Sequence, residues 1–458
     1  MNVATCRFAV LAAAVLLCAI PLLIGCKKAS DQLDQQWTGP VSVSSSKDGL
    51  GGWANLYRCQ DTIIALNSVG DGLAKVFFLN GDGESWSELP LMSVPTGYLW
   101  GAAAIDHENG RILLPETYAE NEQLVMKALT GNITRTGGLQ IVTENQSSTD
   151  KTALLGEAGP NVRLNDFGRR EGVDLGAGIV SGSEMYIPYC LHAVTSFGVN
   201  SYSNGPFNNG VFYSSDSGKT WQRKTISDFD FAAPQMCRTQ GYDYYFAIRD
   251  PITRYGVSIS RKSRSGEAWD SPNIIAERFA NVYGRFDVAG EGDTVHICWM
   301  DRRHNKSRFN PTGPPIENND IYYCRRKDLD SAWSKEELLS KGLLYAYAPT
   351  ISVEGDNAVV VWAGIRTAGK WHTYMAPNDI YYVTSKDRGK TWTRPSKVTD
   401  GAKDGMCAGM PQVALLSGVI HLLYTQGRQP SATELSPGLT KLDEGPWPIY
   451  YQQRPFPN

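Results

Sequence analysis

The chain has 458 residues, 42% of them hydrophobic and 20% charged, with a formal net charge of -3. It can bury a large core, its composition excludes a disordered chain, and the lack of a basic excess speaks against nucleic acid as a partner. The N-terminus differs in character from everything that follows it.

Arg7 precedes the apolar run FAVLAAAVLLCAIPLLIG, which ends at Leu23-Ile24-Gly25-Cys26 and gives way to the polar KKASDQLDQQ. This reads as an export signal. A small residue directly before a cysteine at the end of such a run resembles the bacterial lipobox. The resemblance implies that Cys26 becomes a lipidated N-terminus, an attachment to the membrane and not a span; a plain cleaved signal and an uncleaved N-terminal anchor are the alternatives. The expected boundaries are residues 1–26 for the signal, 27–36 for a short linker and 37–458 for one folded domain. That domain would be exported, either lipid-anchored to a bacterial membrane (cell surface or periplasm) or secreted. Beyond Cys26 the six cysteines at 59, 190, 237, 298, 324 and 407 are too scattered for a disulfide-stapled miniature fold.

After the linker, QWTGPVSVSS (36–45) reads as a lone strand, and strongly apolar strands then recur along the chain. They are TIIALNS (62–68), RILLPETY (111–118), EMYIPYCLH (184–192), YDYYFAIR (242–249), TVHICWMDR (294–302), AVVVWAGIR (358–366) and VIHLLYTQ (419–426). Around each lie a preceding strand, a Gly/Asp turn and a following strand, so a repeat architecture is indicated. Two segments are near copies, GVFYSSDSGKTWQ (210–222) and DIYYVTSKDRGKTWT (379–393), and weaker copies keep a terminal Trp at Trp86, Trp269 and Trp333. In the full copies a permissive glycine, an aspartate able to bond turn amides and a tryptophan packing back on the sheet make a tight hairpin.

Ser-x-Asp-x-Gly-Lys-Thr-Trp is the Asp-box motif, and with it the sequence resembles the sialidase-like β-propellers. The expected fold is all-β: a seven-bladed β-propeller with four-stranded antiparallel blades. The last blade shows only three strands, so the N-terminal strand should complete it and close the ring, removing an exposed edge. Placing the Asp-box turns on the bottom sends the ends of the apolar second strands to the top. There they present His192, Arg249, Arg302, Arg303, Arg308 and Arg366, with aromatic residues such as Tyr345 and Tyr347 in the loops beside them. Arginine forks suit carboxylates and sulfates and aromatic faces stack on sugars, so an anionic polysaccharide is the expected partner of a protein expected to be monomeric.

The stretch HICWMDRRHNKSRF (296–309) has a further reading. If its hairpin turns near Pro311, Cys298 faces Cys324 on the third strand, and His296, Cys298, His304 and Cys324 form a four-ligand structural zinc site. A Cys298–Cys324 disulfide and two inert core thiols are the alternatives. Ca2+ is possible in Asp-rich loops, no ligand spacing marks a site for it, and no organic cofactor is expected.

The Asp boxes suggest a sialidase, but the Arg-Ile-Pro motif of that family is missing and only Arg58-Cys59 stands near its place. A second resemblance rests on the seven-blade count, GVDLGAGIVSGSEMYIPYC, and WMDRRHNKSRFN with NNDIYY followed by cysteine. These look like the propeller polysaccharide lyases that cleave ulvan, in which zinc sits on histidine and cysteine. That resemblance implies β-elimination at a uronate, which needs a cation to neutralise the carboxylate, a base and an acid. His192, Tyr189, Tyr244 and Tyr245 are the candidates for proton transfer, and Arg249, Arg302, Arg303, Arg308 and Arg366 for substrate contacts. A non-catalytic glycan-binding module is the third class.

Overall fold

The computed structural model describes residues 37–44, 54–69, 73–88, 103–120, 123–134, 138–150, 162–164, 173–191, 193–195, 209–227, 230–249, 256–275, 286–301, 303, 319–330, 332–366, 378–428 and 448–457. The export segment with Cys26 lies outside them, as do His192, Arg302, His304 and Arg308. Seven antiparallel sheets succeed one another along the chain. Blades 1 to 7 have as their second strands Thr62–Val69, Arg111–Glu120, Glu184–Leu191, Tyr242–Arg249, Thr294–Asp301, Asn357–Ile365 and Val419–Arg428, matching the seven expected segments. In blade 3 the inner strand is split into Val173–Leu175 and Ile179–Ser181, both paired with Glu184–Leu191. Gly176 in the gap allows blade 4 to approach, since a Cβ there would lie 1.3 Å from the carbonyl oxygen of Pro234. A short ribbon, Val162–Leu164 against Ala193–Thr195, stands apart.

The ring closes as expected. Val41–Ser44 pairs with the last strand, Ile449–Pro455, aligning Val41 with Tyr451, and Thr38 extends the clasp by a backbone bond to Gln453 (2.9 Å). Seven hydrophobic cores follow, each shared by two neighbouring blades. The one joining blade 7 to blade 1 contains Val43, Leu56, Ile63, Leu423 and Tyr451. Second strands are therefore buried on both faces, as in Thr294–Asp301, where every residue is buried.

The Asp boxes explain how blades hold their neighbours. Asp387 accepts bonds from Ser385 Oγ (2.8 Å), Thr391 N (2.9 Å) and Thr391 Oγ1 (2.7 Å), and Asp216 does the same with Ser214 and Thr220. The weaker copy at Trp86 keeps this device in Asp82, which accepts from Glu84 N and Ser85 N. The tryptophans all pack backwards, into the core shared with the preceding blade: Trp86, Trp221, Trp269, Trp333 and Trp392. Trp392 meets Tyr323 edge-on at 4.8 Å and Trp86 meets Tyr451 at 5.0 Å. This is why the tryptophan persists where the aspartate does not.

Inner strands carry a second repeat. Ala233-Pro234-Gln235, Ala348-Pro349-Thr350 and Met410-Pro411-Gln412 each break the pairing register, and the residue before the proline adopts a left-handed φ of 49 to 51°. Non-glycine residues hold such angles only where surrounding structure dictates them.

Candidate functional site

Ser217 N bonds Ser183 O (3.0 Å) and Arg388 N bonds Asp356 O (2.9 Å), so the Asp-box turns lie against the inner hairpins of their own blades, at one end of the ring. The second strands finish at the opposite end. There Arg249 ends its strand in blade 4, Arg303 stands just past Asp301 in blade 5, Arg366 follows Ile365 in blade 6, and Arg428 ends its strand in blade 7. Counted from the inner hairpins, Arg303, Arg366 and Arg428 take the same position, and Arg249 stands earlier on its strand. In blade 6, Tyr345 pairs with Ile365, next to Arg366, and stands 5.4 Å from Tyr347 between ring centroids. Asn378 Nδ2 donates to the Tyr347 hydroxyl at 2.7 Å, fixing that ring, and both tyrosines and Arg366 are half-buried.

Arg303 differs from this set. Its Nη2 binds Asp301, its Nη1 binds Glu336, and its guanidinium lies 3.9 Å from the Tyr322 ring centroid. Its charge is spent within blade 5, so it is corrected from a substrate contact to a tie. Arg58, the one early arginine near the place of the sialidase motif, sits beside the inner hairpin at the Asp-box end and donates to Val353 O.

The three candidate tyrosines are also corrected. Tyr189, Tyr244 and Tyr245 are each 0% exposed. Tyr189 packs on Phe212 at 4.8 Å, Tyr244 donates to Asp328 Oδ1 at 3.1 Å, and Tyr245 donates to the Tyr189 carbonyl at 3.4 Å. Burial pushes the hydroxyls of Tyr189 and Tyr244 well above the usual tyrosine range, with the Asp328 charge adding to it at Tyr244. Without access to substrate they cannot transfer its protons, and they are core residues.

The expected zinc set does not fit either. The register pairs Cys298 with Tyr323 and Ile297 with Cys324, which puts the two cysteines on opposite faces of blade 5. Cys298 faces the core shared with blade 6, and Cys324 the core shared with blade 4. No one metal can join them, and neither can a disulfide; the six described cysteines are all buried and none is in a disulfide. Burial raises both thiols well above their ordinary range, against the thiolate that zinc requires. His296 is engaged elsewhere, with Nδ1 2.7 Å from the Tyr323 hydroxyl. Blade 7 repeats the arrangement in His421 and Tyr451, also at 2.7 Å. Together with Trp392 and Trp86, which meet the tyrosines edge-on, these make two equivalent His–Tyr–Trp clusters, a structural role that the shared position of histidine in TVHICWMD and VIHLLYTQ could have revealed.

No protein-family model matches the chain, and no curated protein matches it. Among solved structures it is similar to polysaccharide lyase Uly1 (11% identity, TM-score 0.47, covering 89% of this chain and 90% of that one). It is similar as well to the endosialidase of phage phi92 (9%, TM-score 0.44, covering 92% and 69%) and to a Trypanosoma rangeli sialidase mutant displaying trans-sialidase activity (10%, TM-score 0.39, covering 93% and 60%).

Proposed function

We propose that the protein is a carbohydrate-active enzyme that holds an anionic, uronate-containing polysaccharide across the rim of blades 4 to 7 and cleaves it by β-elimination. The observation that carries this reading is the presence of arginine at the end of the second strand in blades 4, 6 and 7, with the Tyr345–Tyr347 pair beside Arg366. A guanidinium fork neutralises a uronate carboxylate and so makes the neighbouring C–H acidic, while aromatic faces support the sugar rings. Arg249, Arg302 and Arg366 are the candidates for that neutralisation, with Arg308 from the adjoining loop. With the tyrosines withdrawn, His192 is the remaining candidate for proton transfer, a step that needs a group able to gain and lose a proton near neutral pH.

The burial of those same tyrosines favours one second reading, a glycan-binding propeller without turnover. Incubating the protein with a panel of uronate polysaccharides, ulvan, glucuronan and glycosaminoglycans included, separates the two. A steady rise in the ultraviolet absorbance of an unsaturated uronate establishes elimination. Retention on one immobilised polysaccharide with a flat absorbance trace establishes the binder.

A further inference from the structure

Inside the ring, around its axis, lies a cavity of about 420 Å³ walled by the inner strands of blades 1 and 3 to 7. At the same distance from their inner hairpins, four consecutive blades present Gln235, Asp287, Thr350 and Gln412, and Asn55 takes that station in blade 1, with Tyr57 beside it. A bulge directly precedes the station in blades 4, 6 and 7. Among the described residues, no lysine, arginine or histidine lines the space, and Asp287 is its one charged side chain.

The oxygen atoms around this cavity are incompletely used. Asp287 Oδ1 accepts from Val288 N (3.0 Å) and Oδ2 from Ile351 N (2.8 Å), which leaves further lone pairs on both oxygens. Gln235 commits its Nε2 to Phe286 O at 2.9 Å, turning its amide oxygen into the free end. Thr350 is only 8% exposed, yet its buried hydroxyl has no hydrogen-bond partner. An orphaned polar atom of that kind costs about 1–3 kcal/mol and calls for an explanation. Burial without a countercharge also drives the Asp287 carboxyl up to about 7, its two backbone amides opposing the shift. A carboxylate, a hydroxyl and amide carbonyls, with no nitrogen or sulfur donor and no competing cation, make up the donor set of a hard metal ion.

We propose that this axial ring is a cation site, binding a partly hydrated calcium ion through the Asp287 carboxylate, the Thr350 hydroxyl and the amide oxygens of Gln235 and Gln412. The cavity exceeds one ion, so waters complete the six to eight oxygens that calcium takes. The ion would tie blades 4, 5, 6 and 7 together across the axis, independently of the polysaccharide rim. With one carboxylate the affinity belongs to the weak extracellular class, with Kd on the order of 10⁻⁴–10⁻³ M.

The test is calorimetric titration of the chelator-stripped full chain with CaCl2, paired with thermal unfolding in CaCl2, MgCl2 and KCl. The expected result is one calcium site in that affinity range and a rise in Tm with CaCl2 greater than with the other salts. Asp287→Asn should abolish both. Thr350→Val should weaken calcium binding about tenfold (one ligand lost) while leaving Tm in chelator equal or higher, because the orphaned hydroxyl is gone; this variant decides the matter if Asp287→Asn does not fold. The absence of calcium heat up to about 10 mM, ten times the upper Kd, or an isotherm unchanged in Thr350→Val, overturns the proposal and leaves a water-filled channel.

Discussion

Two imidazoles held neutral inside the ring make it acid-sensitive over a definite window. His296 and His421 are 1% and 5% exposed. Burial, reinforced at His296 by the charges of Arg325 and Arg388, holds their pKa values down at about 3 and about 4. In the unfolded chain a histidine titrates at about 6.5. Between those values the unfolded state binds protons that the native state refuses, so the stabilisation is complete above pH ~6.5 and is lost as pH falls towards 3–4. At pH 5 each histidine sits about 1.5 units below its unfolded pKa, which removes about 2 kcal/mol apiece and about 4 kcal/mol together, out of a total of roughly 5–15. The decisive perturbation is the double variant His296→Gln/His421→Gln, whose amides can still meet the tyrosine hydroxyls but cannot be protonated. Urea midpoints at pH 7 and pH 5 should show the variant weaker at pH 7 yet losing about 4 kcal/mol less than the parent on acidification. Equal losses in the two proteins would refute the reasoning.

Gly389→Ala puts a Cβ 1.8 Å from the Tyr323 hydroxyl at a φ of 73°, displacing the partner of His296; thermal unfolding should register a cost of about 3 kcal/mol or more. At Gly292, with a φ of 55° and open space around the site, the same substitution should cost only about 1–2 kcal/mol of backbone strain. Tyr244→Phe gives up the 3.1 Å bond to Asp328 and should lower stability by about 1 kcal/mol with polysaccharide turnover unaltered; a collapse of kcat at full stability would return this tyrosine to catalysis. Arg366→Ala should raise KM about 10- to 100-fold, the size of one charge-assisted hydrogen bond of about 1.5–3 kcal/mol, and an unchanged KM would place the polysaccharide elsewhere.

The seven blades were legible because a propeller's second strands are covered on both sides, which leaves continuous apolar runs such as AVVVWAGI where a half-exposed sheet would alternate. That same double coverage undid the site assignments. Tyr244 and Tyr245 are neighbours on opposite faces, and each is buried, one in the core shared with blade 5 and the other in that shared with blade 3. Mid-strand residues of either parity are enclosed, so only strand tips can meet a substrate. The zinc set failed on register: sliding one strand by one residue moves a side chain to the other face, and a loop from 302 to 319 leaves that register open in sequence. Recurrent Ala-Pro-Gln, Ala-Pro-Thr and Met-Pro-Gln triplets were the visible trace of the axial ring, although proline in a strand reads first as an interruption.

Closure by Val41–Ser44 against Ile449–Pro455 has a consequence for how the molecule is made. A chain that emerges N-terminus first makes Val41–Ser44 before any of the seven blades and waits for its partner strand until all of them have been supplied. Until then Leu56 and Ile63, destined for the core with Leu423 and Tyr451, have no lid, and blade 1 offers an apolar flank to any other chain nearby. The contact that completes the ring spans all seven blades and forms against a large loop-closure entropy. The strand pair that seals the ring is therefore the least local contact the fold has to make.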